Sequence, residues 1–133
     1  MTVRMGLFLA PLDHPQCQKV RVIERKQPWG GRRIDCELTP EFDQCGLGIP
    51  SDARIALVMM HPKGDALEFL IDHPQLRDME GLHRNEHGRL ETRIGSPIAL
   101  SINTTQHDRV PQVPTVRPRW DGDRFMGWEV LKA

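Results

Sequence analysis

Eleven prolines and eleven glycines are spread along 133 residues, and they cut the chain into short stretches. Inside a helix a proline costs roughly 3 kcal/mol and a glycine about 1 kcal/mol relative to alanine. A chain punctuated this often cannot build long helices. The stretches between the breaks hold β-branched residues, and none keeps a helical apolar spacing long enough for a long helix. Short strands joined by turns remain.

Val3 to Ala10 reads as the first strand, ended by Pro11, Asp13 and Pro15. Lys19 to Lys26 and Arg32 to Leu38 flank the turn Gln27-Pro28-Trp29-Gly30-Gly31. A hairpin centred on Trp29 sets Val20, Val22 and Glu24 opposite Leu38, Cys36 and Ile34, so one face is mostly apolar. The other face pairs Arg21 with Glu37 and Ile23 with Asp35. Face and register agree, which supports the hairpin. Thr39-Pro40-Glu41 has the order of an N-cap, a first-turn proline and an acid, and it predicts a short helix over Pro40 to Cys45, stopped at Gly46.

Ala53 to His61 is the strongest buried strand. The turn Pro62-Lys63-Gly64-Asp65 returns the chain along Ala66 to Asp72, with a helix over Asp65 to Ile71 as the alternative. Pro74 to Glu80 is expected to form a short helix ending at Gly81. Arg89 to Ile94 and Pro97 to Thr104 are expected to pair about Gly95-Ser96. Val110 to Pro118, with three prolines, reads as an edge or extended segment. Asp121-Gly122-Asp123 turns the chain between Arg119-Trp120 and Phe125 to Lys132. The expected fold is mainly β: a sandwich or small, partly open barrel of short antiparallel strands with one or two short helices, in a single domain spanning 1–133.

Eighteen basic and eighteen acidic side chains cancel. A neutral total exerts no long-range pull on nucleic acid or an anionic membrane, so binding of either kind must come from a local patch. The longest apolar run, Ile55 to Met60, is far too short to span a bilayer. Three cysteines, Cys17, Cys36 and Cys45, cannot all pair within one chain, and no export signal is read, so reduced thiols in a cytoplasm are expected.

The densest local chemistry is at the first hairpin tip. The register sets Arg25 opposite Arg33 and Lys26 opposite Arg32, and like charges face to face cost stability. Four cations beside Trp29 gain from a bound anion, because arginine forks match phosphate or carboxylate oxygens and an indole stacks on a base or a guanidinium. In the alternative, the arginines spread into water or reach Glu24 and Asp35. Trp120 and Arg124 form a second candidate contact at the carboxy-terminal hairpin. Trp120 and Trp128 suit core or lid positions, and become protein anchors if exposed.

Histidines raise a zinc test. His83-Arg84-Asn85-Glu86-His87 fits the H-x-x-E-H pattern of inverted zinc peptidases, which needs two imidazoles on one helix face. Gly81 and Gly88 bracket it and favour a loop. His73, His83 and His87 are the metal candidates. Cys17, Cys36 and Cys45 with His14 lack the close C-x-x-C spacing of structural zinc sites, and Cys36 reads as a buried free thiol. Cysteine hydrolase chemistry would require His61 or His107 to approach Cys45.

Arg21-Val22-Ile23-Glu24-Arg25 fits R-x-x-x-R, and Asp43-Gln44-Cys45-Gly46-Leu47-Gly48 resembles D-x-S-x-x-G with cysteine in place of serine. Together these resemble the two motifs of PilZ domains, small β-barrels that bind cyclic di-GMP. The resemblance covers about a fifth of the chain. It implies that Arg21 and Arg25 grip phosphate and guanine while the second motif closes over the nucleotide.

The reading these residues support is a non-catalytic binding protein of cytoplasmic bacterial or phage type. It engages an anionic macromolecule, a protein before a nucleic acid, through Arg25, Lys26, Trp29, Arg32, Arg33, Trp120 and Arg124. No cofactor and no membrane contact are expected. The alternative is a nucleotide- or zinc-binding domain, possibly enzymatic.

Overall fold

A computed structural model of the chain describes residues 3–61, 63–79, 82–87, 90–92 and 113–132. The strands are β1 (Met5–Pro11), β2 (Val20–Lys26), β3 (Arg32–Leu38), β4 (Arg54–Met60), β5 (Ala66–Asp72), β6 (Leu82–Arg84), β7 (Leu90–Thr92), β8 (Thr115–Asp121) and β9 (Arg124–Lys132). They form a five-stranded sheet in the order β4-β5-β1-β8-β9 and two separate ribbons, β2-β3 and β6-β7. All pairings are antiparallel except the short contact of β1 with β8 at Leu7 and Thr115. The chain is mainly β, and its helical content among the described residues is two 3-10 turns, Cys17–Lys19 and Gln44–Leu47.

β5 occupies an interior position in the sheet and its middle five residues are all buried. Its middle, Leu67 to Ile71, is apolar but for the buried Glu68, as in strands covered on both faces, and shows no clear alternation, which is why periodicity left a helix open for Asp65 to Ile71. Pairing with β1 and β4 settles it as strand. On one side of the sheet Phe8, Leu67, Phe69, Ile71 and Val58 pack with Val20, Leu47 and Ile49 from the segments that cross over them. Phe42 stacks on Phe69 with ring centres 5.8 Å apart, and Phe8 lies 6.2 Å from Phe69. Val3, Met5, Leu70 and Met79 make a second, smaller cluster. Burying each such side chain is worth about 1.5–3 kcal/mol.

Two expected helices are corrected. Pro40 to Asp43 is not helical; a 3-10 turn covers Gln44–Leu47 instead, capped by Asp43, whose side chain accepts the Cys45 N–H. Thr39 instead donates its hydroxyl to the Lys19 carbonyl, which holds it at the end of the first hairpin. The described part of Pro74 to Glu80 is turn and extended chain. Met5 N–H donates to the Arg77 carbonyl and Met79 N–H to the Val3 carbonyl. Arg77 and Met79 thus pair with Met5 and Val3 around the start of the first strand, and the local backbone bond from Leu76 N–H to the His73 carbonyl closes a turn. The first strand also starts later and ends later than Val3 to Ala10, because Pro11 still pairs with Ala66. Leu90–Thr92 pairs with Leu82–Arg84; the expected pairing about Gly95-Ser96 lies outside the described residues.

Candidate functional site

The β2-β3 ribbon carries the register read from sequence, from Val20 opposite Leu38 to Lys26 opposite Arg32. Its root is anchored: Val20 is buried in the main core and Cys36 packs against it. Beyond the root the ribbon pairs with no other described strand. Arg21, Val22, Glu24, Arg25 and Lys26 on β2, and Ile34, Glu37 and Leu38 on β3, are all exposed. Both faces of the outer part meet solvent, so the ribbon is an arm.

The arm turns through three residues. Gly30 N–H donates to the Gln27 carbonyl and Gln27 N–H to the Gly31 carbonyl, at 2.9 and 2.7 Å. Pro28 leads this turn and Gly30 follows it at φ +89, left-handed backbone that favours glycine. The indole of Trp29 folds back over Gly31: a Cβ there would stand 2.7 Å from Trp29 Nε1. Even so, Trp29 is 79% exposed, the most exposed large apolar side chain described.

The two faces of the arm differ. Arg25 Nε donates to Asp35 Oδ2 at 3.0 Å, a diagonal pair on the face that also holds Arg21 and Glu37. One of the four expected tip cations is therefore compensated within the arm. Lys26 is exposed and has no ion pair among the described residues. Arg32 and Arg33 are placed by backbone register; their side chains lie outside what is described. The other face exposes Val22, Ile34 and Leu38 by 46%, 47% and 42%. Charge is also uneven along the sequence. Residues 19–38 hold six basic and three acidic side chains, net +3, and the rest of the chain carries −3.

The carboxy-terminal hairpin, β8-β9, resembles the arm in sequence but is built into the sheet. Trp120 Nε1 donates to the Gly48 carbonyl at 2.7 Å. Trp120, Phe125, Trp128 and His73 form a chain of edge-to-face contacts with centres 5.3–5.6 Å apart. Trp128 packs on the main core, while Trp120 remains 42% exposed. Arg124 is exposed at the tip, and Arg117 pairs with Glu129 at 2.7 Å.

His73 is a structural hub. It is 1% exposed, and its Nδ1 accepts the Gln75 N–H and the Trp128 Nε1–H at 3.2 and 3.1 Å. Nδ1 therefore carries no proton, and Nε2 holds the ring hydrogen. Nε2 stands 3.1 Å from Asp52 Oδ2, at an angle outside a well-aligned hydrogen bond. His14 and His61 repeat the local device, each accepting the N–H two residues on, from Gln16 and Lys63. All three histidines precede a proline. The ring fills the acceptor role that an Asn or Asp side chain plays in similar turns. The His-Pro dipeptides were the sequence signal for this role.

No group of three or more His, Cys, Asp or Glu side chains converges as a metal site among the described residues. His83 and His87 are exposed on and beside the short β6-β7 ribbon, and His73 is buried elsewhere. Burial pushes the Cys17 and Cys36 thiols up, with Asp13 and Asp35 adding to it, which disfavours the thiolates that zinc or nucleophilic chemistry needs. Cys45 is exposed on the 3-10 turn, His61 lies in the β4-β5 turn, and His107 is outside the described residues. Of the R-x-x-x-R pair, both arginines lie within paired β2, and Arg25 is already bound to Asp35. No protein family, no curated protein and no solved structure matches the chain.

Proposed function

We propose that this chain is a non-catalytic interaction protein that engages an anionic macromolecular partner through the β2-β3 arm. The supporting observation is Trp29, 79% exposed at the turn of a two-stranded arm whose outer faces both meet solvent. Burying such an indole in a partner's pocket is the kind of contact that dominates interface energies. Lys26, Arg32 and Arg33 stand next to it in the register and supply charge. A protein partner fits better than a nucleic acid. Val22, Ile34 and Leu38 are exposed apolar side chains on the face that also holds Glu24 opposite Ile34, and such side chains suit an interface core and gain nothing from phosphates. Trp120 and Arg124 are the second contact of the same proposal.

The test uses heparin as a soluble polyanion, read by tryptophan fluorescence. Replacing Arg32 and Arg33 together with alanine is expected to weaken binding by about tenfold, equivalent to about 1.4 kcal/mol, with the melting temperature unchanged. Equal affinity in wild type and double variant would falsify the role of the tip.

A further inference from the structure

Three histidines stand before prolines and turn Nδ1 onto the N–H two residues on, and they differ in what a proton on that nitrogen would meet. At His61, Nδ1 also lies 3.6 Å from Asp65 Oδ1, so an added proton finds a carboxylate. His14 accepts one N–H, from Gln16, and is only half-buried. His73 is buried, and its Nδ1 accepts two N–H groups, from Gln75 and from Trp128 Nε1. A proton there faces two donors.

The surroundings of the His73 ring offer it no acceptor in exchange. Nε2 already holds its hydrogen on the side of Asp52, whose Oδ2 is 3.1 Å away. β9 contributes Phe125 and Trp128, which carry no charge. The turn after β5 contributes Gln75. The chain before β1 contributes the Arg4 carbonyl, which accepts the His73 N–H, while the Arg4 guanidinium donates to the Leu76 carbonyl. On β5 itself, Asp72 is paired with Arg84. Among the described residues, then, Asp52 is the charged group paired with the ring, and it favours a cation. Its side chain is 68% exposed, so water and salt screen that attraction. A buried donor set against two donors loses its water and gains no bond, which is the larger effect.

We infer that His73 is a proton-sensitive latch on the carboxy-terminal hairpin. Neutral, the ring ties Trp128 of β9 to the turn after β5 and stands against Asp52. The closed contacts take the neutral ring and refuse the cation. A released ring titrates at the ordinary histidine value, about 6.5. Below that pH the open form binds a proton that the closed form does not, so opening becomes more favourable by up to about tenfold per pH unit. Above it the latch is insensitive to pH. Phe125 and Trp120 continue the aromatic row outward from Trp128, so loosening spreads toward the contact of Trp120 with Gly48. The latch involves no residue of the β2-β3 arm.

The test is solvent exchange of the Trp128 indole hydrogen, followed by NMR on the full chain from about pH 8 to about pH 5, where histidine is the side chain that ordinarily titrates. The exposed Trp29 indole supplies the unprotected rate. Protection of Trp128 relative to Trp29 is expected to be constant above about pH 6.5 and to fall by up to about tenfold per unit below it. His73→Gln offers an amide oxygen to the same N–H groups and takes up no proton, so its Trp128 protection is expected to be flat throughout. Long-range proton–nitrogen spectra of the wild type read the ring directly. They are expected to show the Nε2–H form, with no imidazolium while Trp128 stays protected. Constant protection across the whole range in the wild type overturns the latch. So does an imidazolium at His73 with Trp128 still protected, a result that needs no variant to fold. The same slope in His73→Gln assigns the proton to another group and overturns it as well.

Discussion

The β2-β3 arm and the β8-β9 hairpin are built from the same parts and use them differently. Each is an antiparallel pair with a glycine of positive φ at its turn, a tryptophan nearby and arginines around it. In β8-β9 a third strand, β1, lies alongside, and the loop ending at Gly48 offers a carbonyl to Trp120. The aromatic rings then stack inward as far as His73. In β2-β3 no third described strand joins the ribbon, and Trp29 folds over Gly31 of its own turn and stays 79% exposed. The fate of a hairpin tryptophan is thus decided by what stands beside the hairpin. A two-stranded ribbon alone is marginally stable in water, so the arm depends on its anchored root, Val20 and Cys36.

The comparison breaks most visibly when the aromatic chain loses its end. His73→Ala leaves the Gln75 and Trp128 N–H groups without their acceptor and opens a void among buried rings. The expected cost is about 3 kcal/mol of unfolding free energy, measured by denaturant titration. Trp29→Ala is expected to change stability by no more than about 0.5 kcal/mol. Similar costs for the two variants would mean that the arm's tryptophan is as structural as the hub. Trp120→Phe is a finer probe. It keeps a ring against Phe125 and removes the donor to Gly48, at an expected cost of about 1 kcal/mol.

Gly30→Ala addresses the arm's backbone. At φ +89 an alanine is strained by about 1 kcal/mol. Because the outer arm is exposed, the strain is expected to surface as faster amide exchange across Arg25 to Ile34, with exchange in β5 unchanged. Faster exchange in β5 and its partner strands as well, or loss of the whole fold, would contradict the separation of arm from body.

Much of this fold was legible in short-range chemistry. Pro28-Trp29-Gly30 and Gly122-Asp123 fixed two hairpins, and alternation along Val20, Val22, Cys36 and Leu38 gave the register that the structure shows. What stayed hidden depends on contacts between distant residues. Pro74 to Glu80 has helix-like ends, yet its Met79 N–H donates to the Val3 carbonyl and its Arg77 carbonyl accepts from Met5, more than 70 residues away in sequence. The anchoring of Trp120 needs Gly48, 72 positions earlier. The candidate tip was readable as a cluster of cations. Its internal compensation by Asp35 depended on a diagonal geometry that residue order alone left between two outcomes.

The smallest effect concerns the hairpin that is built in. Arg117 donates to Glu129 across β8-β9 and, by this hydrogen bond and its charge, holds the Glu129 carboxyl below its ordinary range; Arg119 adds to the effect. A carboxyl depressed in the folded chain stabilises it above the unfolded pKa, about 4.3 for glutamate, and that contribution is lost as pH falls through the lower folded value. Both side chains are substantially exposed, so solvent and salt screen the pair. Glu129→Gln is therefore expected to lower the melting temperature slightly at pH 7 in low salt and to have no effect once the wild-type carboxyl is protonated. The arm holds a cross-strand pair of its own, Arg25 with Asp35, set diagonally where Arg117 and Glu129 stand directly opposite. Removing that one by Asp35→Asn releases a tip cation, and is expected to raise heparin affinity, whereas Glu129→Gln leaves it unchanged. If the two substitutions act alike on heparin, the arm and the built-in hairpin do not differ in the way their contacts imply.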